Sequence, residues 1–109
     1  MEEAKYENAM QIILHAGDAK SSALMAVDAA AEGDFAAAED HLRESQEEMH
    51  AAHETQLSLI QGEASGQHVE VNVILVHAQD HLTMAIMASD LAERMVEMYR
   101  RMAKLEAGA

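Results

Sequence analysis

The chain contains no cysteine, no proline and no tryptophan, and aromatic residues make up only 3% of it. Without cysteine there is neither a disulfide framework nor a thiolate nucleophile or metal ligand. Without proline nothing forces a kink into a long helix. Basic residues are also scarce: 7 Lys and Arg stand against 20 Asp and Glu, for a formal net charge of -13. Phosphate-backbone binding needs clustered Lys and Arg, so nucleic acid is excluded as a partner. No apolar run approaches the roughly 20 residues of a membrane span. The acidic start Met1-Glu2-Glu3 lacks the basic and apolar regions of a secretion signal, so a cytoplasmic location is expected.

What remains is rich in Ala, Met, Glu and Leu, residues that favour long helices. At 109 residues the chain is read as one domain, 1–109, able to bury a core but with a thin margin unless copies associate. Two breaks interrupt the helical pattern. Gly33 is suited to a left-handed helix end and Asp34 to capping the next helix. Gly62 to His68, with two glycines and no apolar anchor, reads as a flexible connection. Helices are therefore expected over about Glu3–Ala31, Phe35–Gln61 and Val69–Leu105. The opening Val69-Glu70-Val71-Asn72 is β-branched and alternating, but no other segment offers a partner strand, so a helix is expected there too. The fold class is all-α: an antiparallel up-down-up three-helix bundle, spectrin-repeat-like.

In the third helix, His77, His81, Met84, Ala88, Leu91, Met95, Met98 and Met102 follow alternating steps of four and three, which predicts a buried seam. Val73, Val76, Asp80, Thr83 and Met87 form a second stripe beside it. Together they are too wide for one partner helix, so this helix is expected to meet copies of itself. In the first helix Met10, Ile13, Leu14, Gly17, Leu24, Val27 and Ala31 are expected to face the core, with Gly17 either at a close crossing or a tolerated weak point. In the second, Phe35, Ala38, Leu42, Met49, Ala52, Gln56, Leu59 and Ile60 face inward.

Chemistry concentrates in His77-Ala78-Gln79-Asp80-His81, where two imidazoles and a carboxylate share one side of a helix. An imidazole with one nitrogen held as N–H presents a lone pair on the other, the requirement for accepting a phosphoryl group. Gln79, His81 and Thr83 are nearby donors. Spacing alone leaves three readings open: a buried hydrogen-bond network, a zinc or iron site in a metal-binding helical oligomer using His77, Asp80 and His81, and a phosphorelay site. His53 is expected to make a core hydrogen bond, and His15, His41, His50 and His68 receive no role.

The run from Val73 to Leu82 resembles the active-site helix of the lactose/cellobiose-type IIA proteins of the bacterial phosphoenolpyruvate-dependent sugar phosphotransferase system. Supporting segments are His15-Ala16-Gly17-Asp18-Ala19-Lys20-Ser21, Gly33 to Ala38, and Ala52 to Ile60. Ala78 leans toward the cellobiose/diacetylchitobiose branch. The resemblance implies that His77 takes a phosphoryl group from the phosphocarrier HPr, at Nε2, and passes it to a cysteine of the IIB component during uptake of a β-linked disaccharide through the membrane component IIC. It implies a homotrimer that gathers three Asp80 carboxylates on its axis, where magnesium can bind. Converging carboxylates need a proton or a cation among them.

Overall fold

The computed structural model describes residues 2–109, with side chains from Tyr6 onward. Three helices follow in order: α1 (Glu2–Ala31), α2 (Phe35–Ala64) and α3 (Val73–Gly108). They form an up-down-up antiparallel bundle with extents of 62 × 23 × 19 Å. Among the described residues there is no strand, and no helix is long and apolar enough to cross a membrane.

The first turn behaves as expected. Gly33 sits at φ 84°, its N–H bonds to Ala30 O at 3.0 Å and the Asp34 N–H to Ala29 O at 2.9 Å, the paired bonds that close a helix around a left-handed residue. Asp34 then caps α2 by accepting from the Ala37 N–H at 3.1 Å.

The second connection differs from expectation at both ends. α2 continues past Gln61 to Ala64 and closes by the same motif, with Gly66 at φ 94° and the Gln67 N–H bonded to Gly62 O at 2.9 Å. It is a defined turn. Residues 69–72 are not helical, and α3 begins at Val73. The Glu63 carboxylate accepts from the Val69 N–H at 2.8 Å, tying the start of the segment to α2. Asn72 is extended and its side chain accepts from the Leu75 N–H at 2.9 Å, so the helix starts where a cap is available. Propensity against a helix, the tie to Glu63 and this local cap act together.

The core is built from small residues. α1 buries Ala9, Ile12, Ala16, Ala19, Ala23, Ala26 and Ala30. α2 buries Ala38, Leu42, Ser45 and Ala52, and α3 buries Ala78, Leu82, Ala85, Ser89, Ala92 and Val96. Alanine rows let helix axes approach closely and cost no side-chain entropy on burial. Ser45 donates to Ala19 O at 2.7 Å, so its hydroxyl is buried with a partner on α1. α2 therefore buries Ala38, Leu42 and Ala52 as expected, with Phe35, Met49 and Leu59 packed at its edge, while Ile60 is exposed.

On α1 and α3 the expected seams lie one residue away from the observed ones. Met10, Leu14 and Leu24 are exposed, as are Met84, Leu91, Met95, Met98 and Met102. The row from Ala78 to Val96 repeats the same four-three steps, and packing chose it because three facing rows of small side chains leave no room for methionine. Gly17 marks no close crossing, since a Cβ there would meet nothing within 4 Å. α1 lies along both other helices, whereas α2 and α3 touch less and leave clefts between them.

Candidate phosphoryl-acceptor site

The histidine pair lies in the first turns of α3. His77 is the fifth residue of α3, close to the end where backbone N–H groups favour negative charge. The end is held in shape by Asn72. Asn72→Ala removes that cap and is expected to cost about 1 kcal/mol, measured as a lower denaturant midpoint together with faster amide exchange at residues 74–76.

His77 is exposed and His81, one turn later, is half-buried. Their Nε2 atoms lie 3.0 Å apart, with ring centroids 4.5 Å apart and planes at 89°. At that distance one Nε2 carries the hydrogen and the other the lone pair. The pair therefore contains one nucleophilic nitrogen and one donor aimed at it. The other expected donors do not reach His77 within the chain. Thr83 turns its hydroxyl back to Gln79 O at 3.0 Å, and Gln79 is bonded across the helix gap by the Gln56 carboxamide of α2, whose Nε2 donates to Gln79 Oε1.

The positions of these groups follow from helix geometry. At 100° per residue, His77 stands about 60° from Asp80 on the flank of α3 near α1. Gln79 stands about 100° from Asp80 on the opposite flank, facing α2. Asp80 lies between them on an outward face with Val73 (83% exposed), Val76, Met84 and Met87, which nothing in the chain covers. Asp80 is thus not brought to the imidazole pair, and among the described residues no group of three His, Asp or Glu side chains is placed to hold a metal ion. A shallow depression of about 460 Å³ runs over Val73, Val76, His77, Gln79, Asp80 and Thr83, so Gln79 reaches both this depression and the cleft on its other side. A mostly apolar cleft of about 560 Å³ opens on the other flank between α2 and α3, lined by Leu59, Ile60, Val69, Leu75 and Gln79 among others.

The remaining histidines sit elsewhere. His53 is exposed beside His50, Met49 and Ile86 rather than bonded in the core, because α2 and α3 do not close over it. His15 bonds Glu48 of α2 at 2.6 Å, a contact between residues 33 apart that no local pattern announces. His41 and His50 pair with Glu44 and Glu54 on their own helix, at 3.3 and 3.2 Å. Gln56 faces inward in the sequence pattern, but nothing local announces its bond to Gln79, whereas Asn72 carries a readable cap signal before Val73.

Comparison with known proteins places this geometry. Residues 7–100 match the family described as PTS system, Lactose/Cellobiose specific IIA subunit. The chain is 42% identical to the lichenan-specific phosphotransferase enzyme IIA component of Bacillus subtilis, over 93% of this chain and 92% of that protein. It superposes on the crystal structure of the cellobiose-specific enzyme IIA from Bacillus anthracis with a TM-score of 0.88 at 38% identity, covering 96% of this chain and 94% of that one. The IIA(Chitobiose) chain solved in complex with HPr, from Escherichia coli, matches with a TM-score of 0.78 at 34% identity, over 91% of this chain and 96% of that one. The chain belongs to the lactose/cellobiose-specific IIA family, the phosphoryl-carrying components of the sugar phosphotransferase system.

Proposed function

We propose that His77 is the phosphoryl acceptor and that it works in the cytoplasm between HPr and a IIB component. The observation that carries this reading is the exposed imidazole pair at the start of α3. His81 Nε2–H donates to His77 Nε2, which fixes the His77 proton on Nδ1 and leaves the lone pair on Nε2. Attack by that lone pair forms an N–P bond while the bond from phosphorus to the HPr residue breaks. The His81 N–H, no longer needed by the nitrogen, turns to a phosphoryl oxygen. In the next step a IIB thiolate attacks phosphorus and the His77 nitrogen leaves with its lone pair. Both steps ask mainly for alignment and charge stabilisation, so a shallow surface site is sufficient. HPr as donor is supported by the family relative solved in complex with it. Phosphoryl loss from the loaded chain to an added IIB domain tests the second step. A loaded chain that keeps its phosphoryl group in the presence of IIB contradicts it.

The sugar is of the β-linked disaccharide class and is chosen by the membrane component IIC. Relatives named for lichenan, galactose, cellobiose, lactose and N,N'-diacetylchitobiose are all 36–42% identical to this chain, which supports a selection made outside it.

The chain acts as a homotrimer. The outward face of α3, with Val73, Val76, Met84, Met87, Leu91 and Met98 exposed, is an apolar stripe of the kind that marks association. Three such faces around a threefold axis bring three Asp80 carboxylates together. A divalent ion fits only in that assembly, because a single chain offers one carboxylate there. Magnesium would be held by Asp80 of each copy with water completing its shell, and would supply charge neutralisation alone. Two carboxylates 4 Å apart repel by on the order of 4 kcal/mol near a protein surface. Asp80→Leu is therefore expected to preserve or strengthen the trimer in sedimentation. Dissociation to single chains would show that the carboxylates hold it together.

A further inference from the structure

Arg94 is out of place on α3. Arg43, Arg100 and Arg101 have the carboxylates of Asp40, Glu39 and Glu97 as partners, whereas the Arg94 guanidinium donates to the backbone oxygen of Asp90, at 2.9 Å. At 100° per residue Arg94 stands about 40° from Asp80, on the flank that carries Val76 and Met87, both more than half exposed. That flank belongs to the face through which the copies are proposed to associate. Enclosing a guanidinium among apolar neighbours strips its hydration and is costly without a carboxylate. The surface that receives this flank is therefore expected to bring an acid to it.

That surface includes α1. In a cyclic trimer the flank bearing Arg94 meets the opposite flank of the next copy, because such an interface joins two different surfaces. The opposite flank, with His77 and Met95, lies beside α1. On α1 the bond from His15 to Glu48 marks the side turned toward α2. Leu24 and Asp28 stand about 180° and 140° around the helix from His15, on the side away from α2, and both are exposed. Among the described residues no ion pair involves the Asp28 carboxylate. Height agrees as well. α1 and α3 run in the same direction, and Ala23, Ala26 and Ala30 share a core cluster with Ala92 and Val96, which sets Asp28 level with Arg94 to within about one turn. A cyclic axis adds no translation, so the two levels also match between copies. The neighbour's α1 lies further out than its α3, and the long arginine stem carries the charge across that distance while packing on Leu24.

We infer that Arg94 of one copy pairs with Asp28 of the next, so that α1 joins α3 in the subunit interface and three identical ion pairs fix its register. This rests on the trimer proposed above. It also gives the outward side of α1 a partner, in the half of the bundle away from the histidine pair.

An exposed ion pair changes an equilibrium constant by about twofold to fivefold. Three per trimer multiply to about tenfold to a hundredfold, and reversing one charge turns each attraction into a repulsion. Sedimentation equilibrium of the full chain at low salt, with Arg94→Asp, Asp28→Arg and the double exchange, tests the pairing. Each single reversal is expected to weaken trimer formation by at least about tenfold, with the circular dichroism of the folded chain unchanged because both side chains are exposed. The double exchange is expected to restore association to near that of the unsubstituted chain, and salt should weaken both alike. Single reversals that associate as tightly as the unsubstituted chain, or a double exchange as weak as the single ones, overturn the pairing while leaving the trimer standing. If the unsubstituted chain forms no trimers, the assembly reading fails first and takes this one with it.

Discussion

His77→Ala is expected to reduce phosphoryl uptake from phospho-HPr to background while leaving the helical fold and the melting temperature almost unchanged. The nucleophilic nitrogen is removed outright, and no other side chain is placed to replace it. His81 remains, but it is half-buried and without the partner whose lone pair it faces. Three of the other histidines, His15, His41 and His50, have a carboxylate as partner. A carboxylate beside an imidazole repels an incoming phosphoryl group, so these rings are poor substitutes. Because His77 is exposed, its truncation falls in the class of surface substitutions that change stability by no more than about 0.5 kcal/mol. Circular dichroism and a thermal melt check the fold, and uptake of labelled phosphoryl checks the chemistry. Retained uptake by the variant would move the acceptor to another residue.

Leu82→Ala is expected to have the opposite signature, a large loss of stability with the phosphoryl chemistry intact in whatever fraction remains folded. Leu82 is 1% exposed and lies one residue beyond His81, beneath the site. Its buried neighbours in the core are Ile12 and six alanines: Ala9, Ala16, Ala19, Ala52, Ala78 and Ala85. Alanine side chains have no rotamers with which to fill a vacated volume, so only the partly buried Ile13, Met49, Leu59, Ile74 and Leu75 at the cluster's edge can relax into it, and the cost lies near the middle of the roughly 2–5 kcal/mol range. In a domain whose total stability is about 5–15 kcal/mol, that is a substantial fraction. At about 4–8 °C per kcal/mol for a chain near this size, the melting temperature should fall by more than 10 °C. Met10→Ala, on α1 and exposed, outside the associating face of α3, serves as a control with little effect on stability. Equal losses from both substitutions would mean that an exposed position carries as much packing as the core.

Local chemistry was readable in the sequence, and relative placement was not. Gly33 and Asp34 announce a helix end and a cap because a left-handed backbone and a side-chain acceptor act within a few residues. The imidazole pair is readable for the same reason, since residues four apart meet on any helix. The buried rows of α1 and α3 were misplaced by one residue because two equally spaced rows run side by side. Judged by side-chain size, methionine and leucine belong inside. Close packing of three alanine-rich helices reverses that preference. α3 starts at Val73 and not at Val69 because the β-branched run gains little from a helix and Asn72 supplies the cap. The Gln56–Gln79 bond depends on the register between α2 and α3, set by the Schellman turn at Gly66 and the whole length of the bundle. No periodicity within one helix contains it.

The central claim is that one nitrogen of one histidine carries the phosphoryl group. Incubating the full chain with phosphoenolpyruvate, Enzyme I and HPr and then locating the bound phosphorus by NMR of the labelled imidazoles tests it most directly. The expected result is a single acid-labile phosphoryl group per chain, bonded to Nε2 of His77, with the His81 ring resonances shifted as its N–H changes partner. A phosphoryl group on any other of the seven histidines, or none at all, would contradict it.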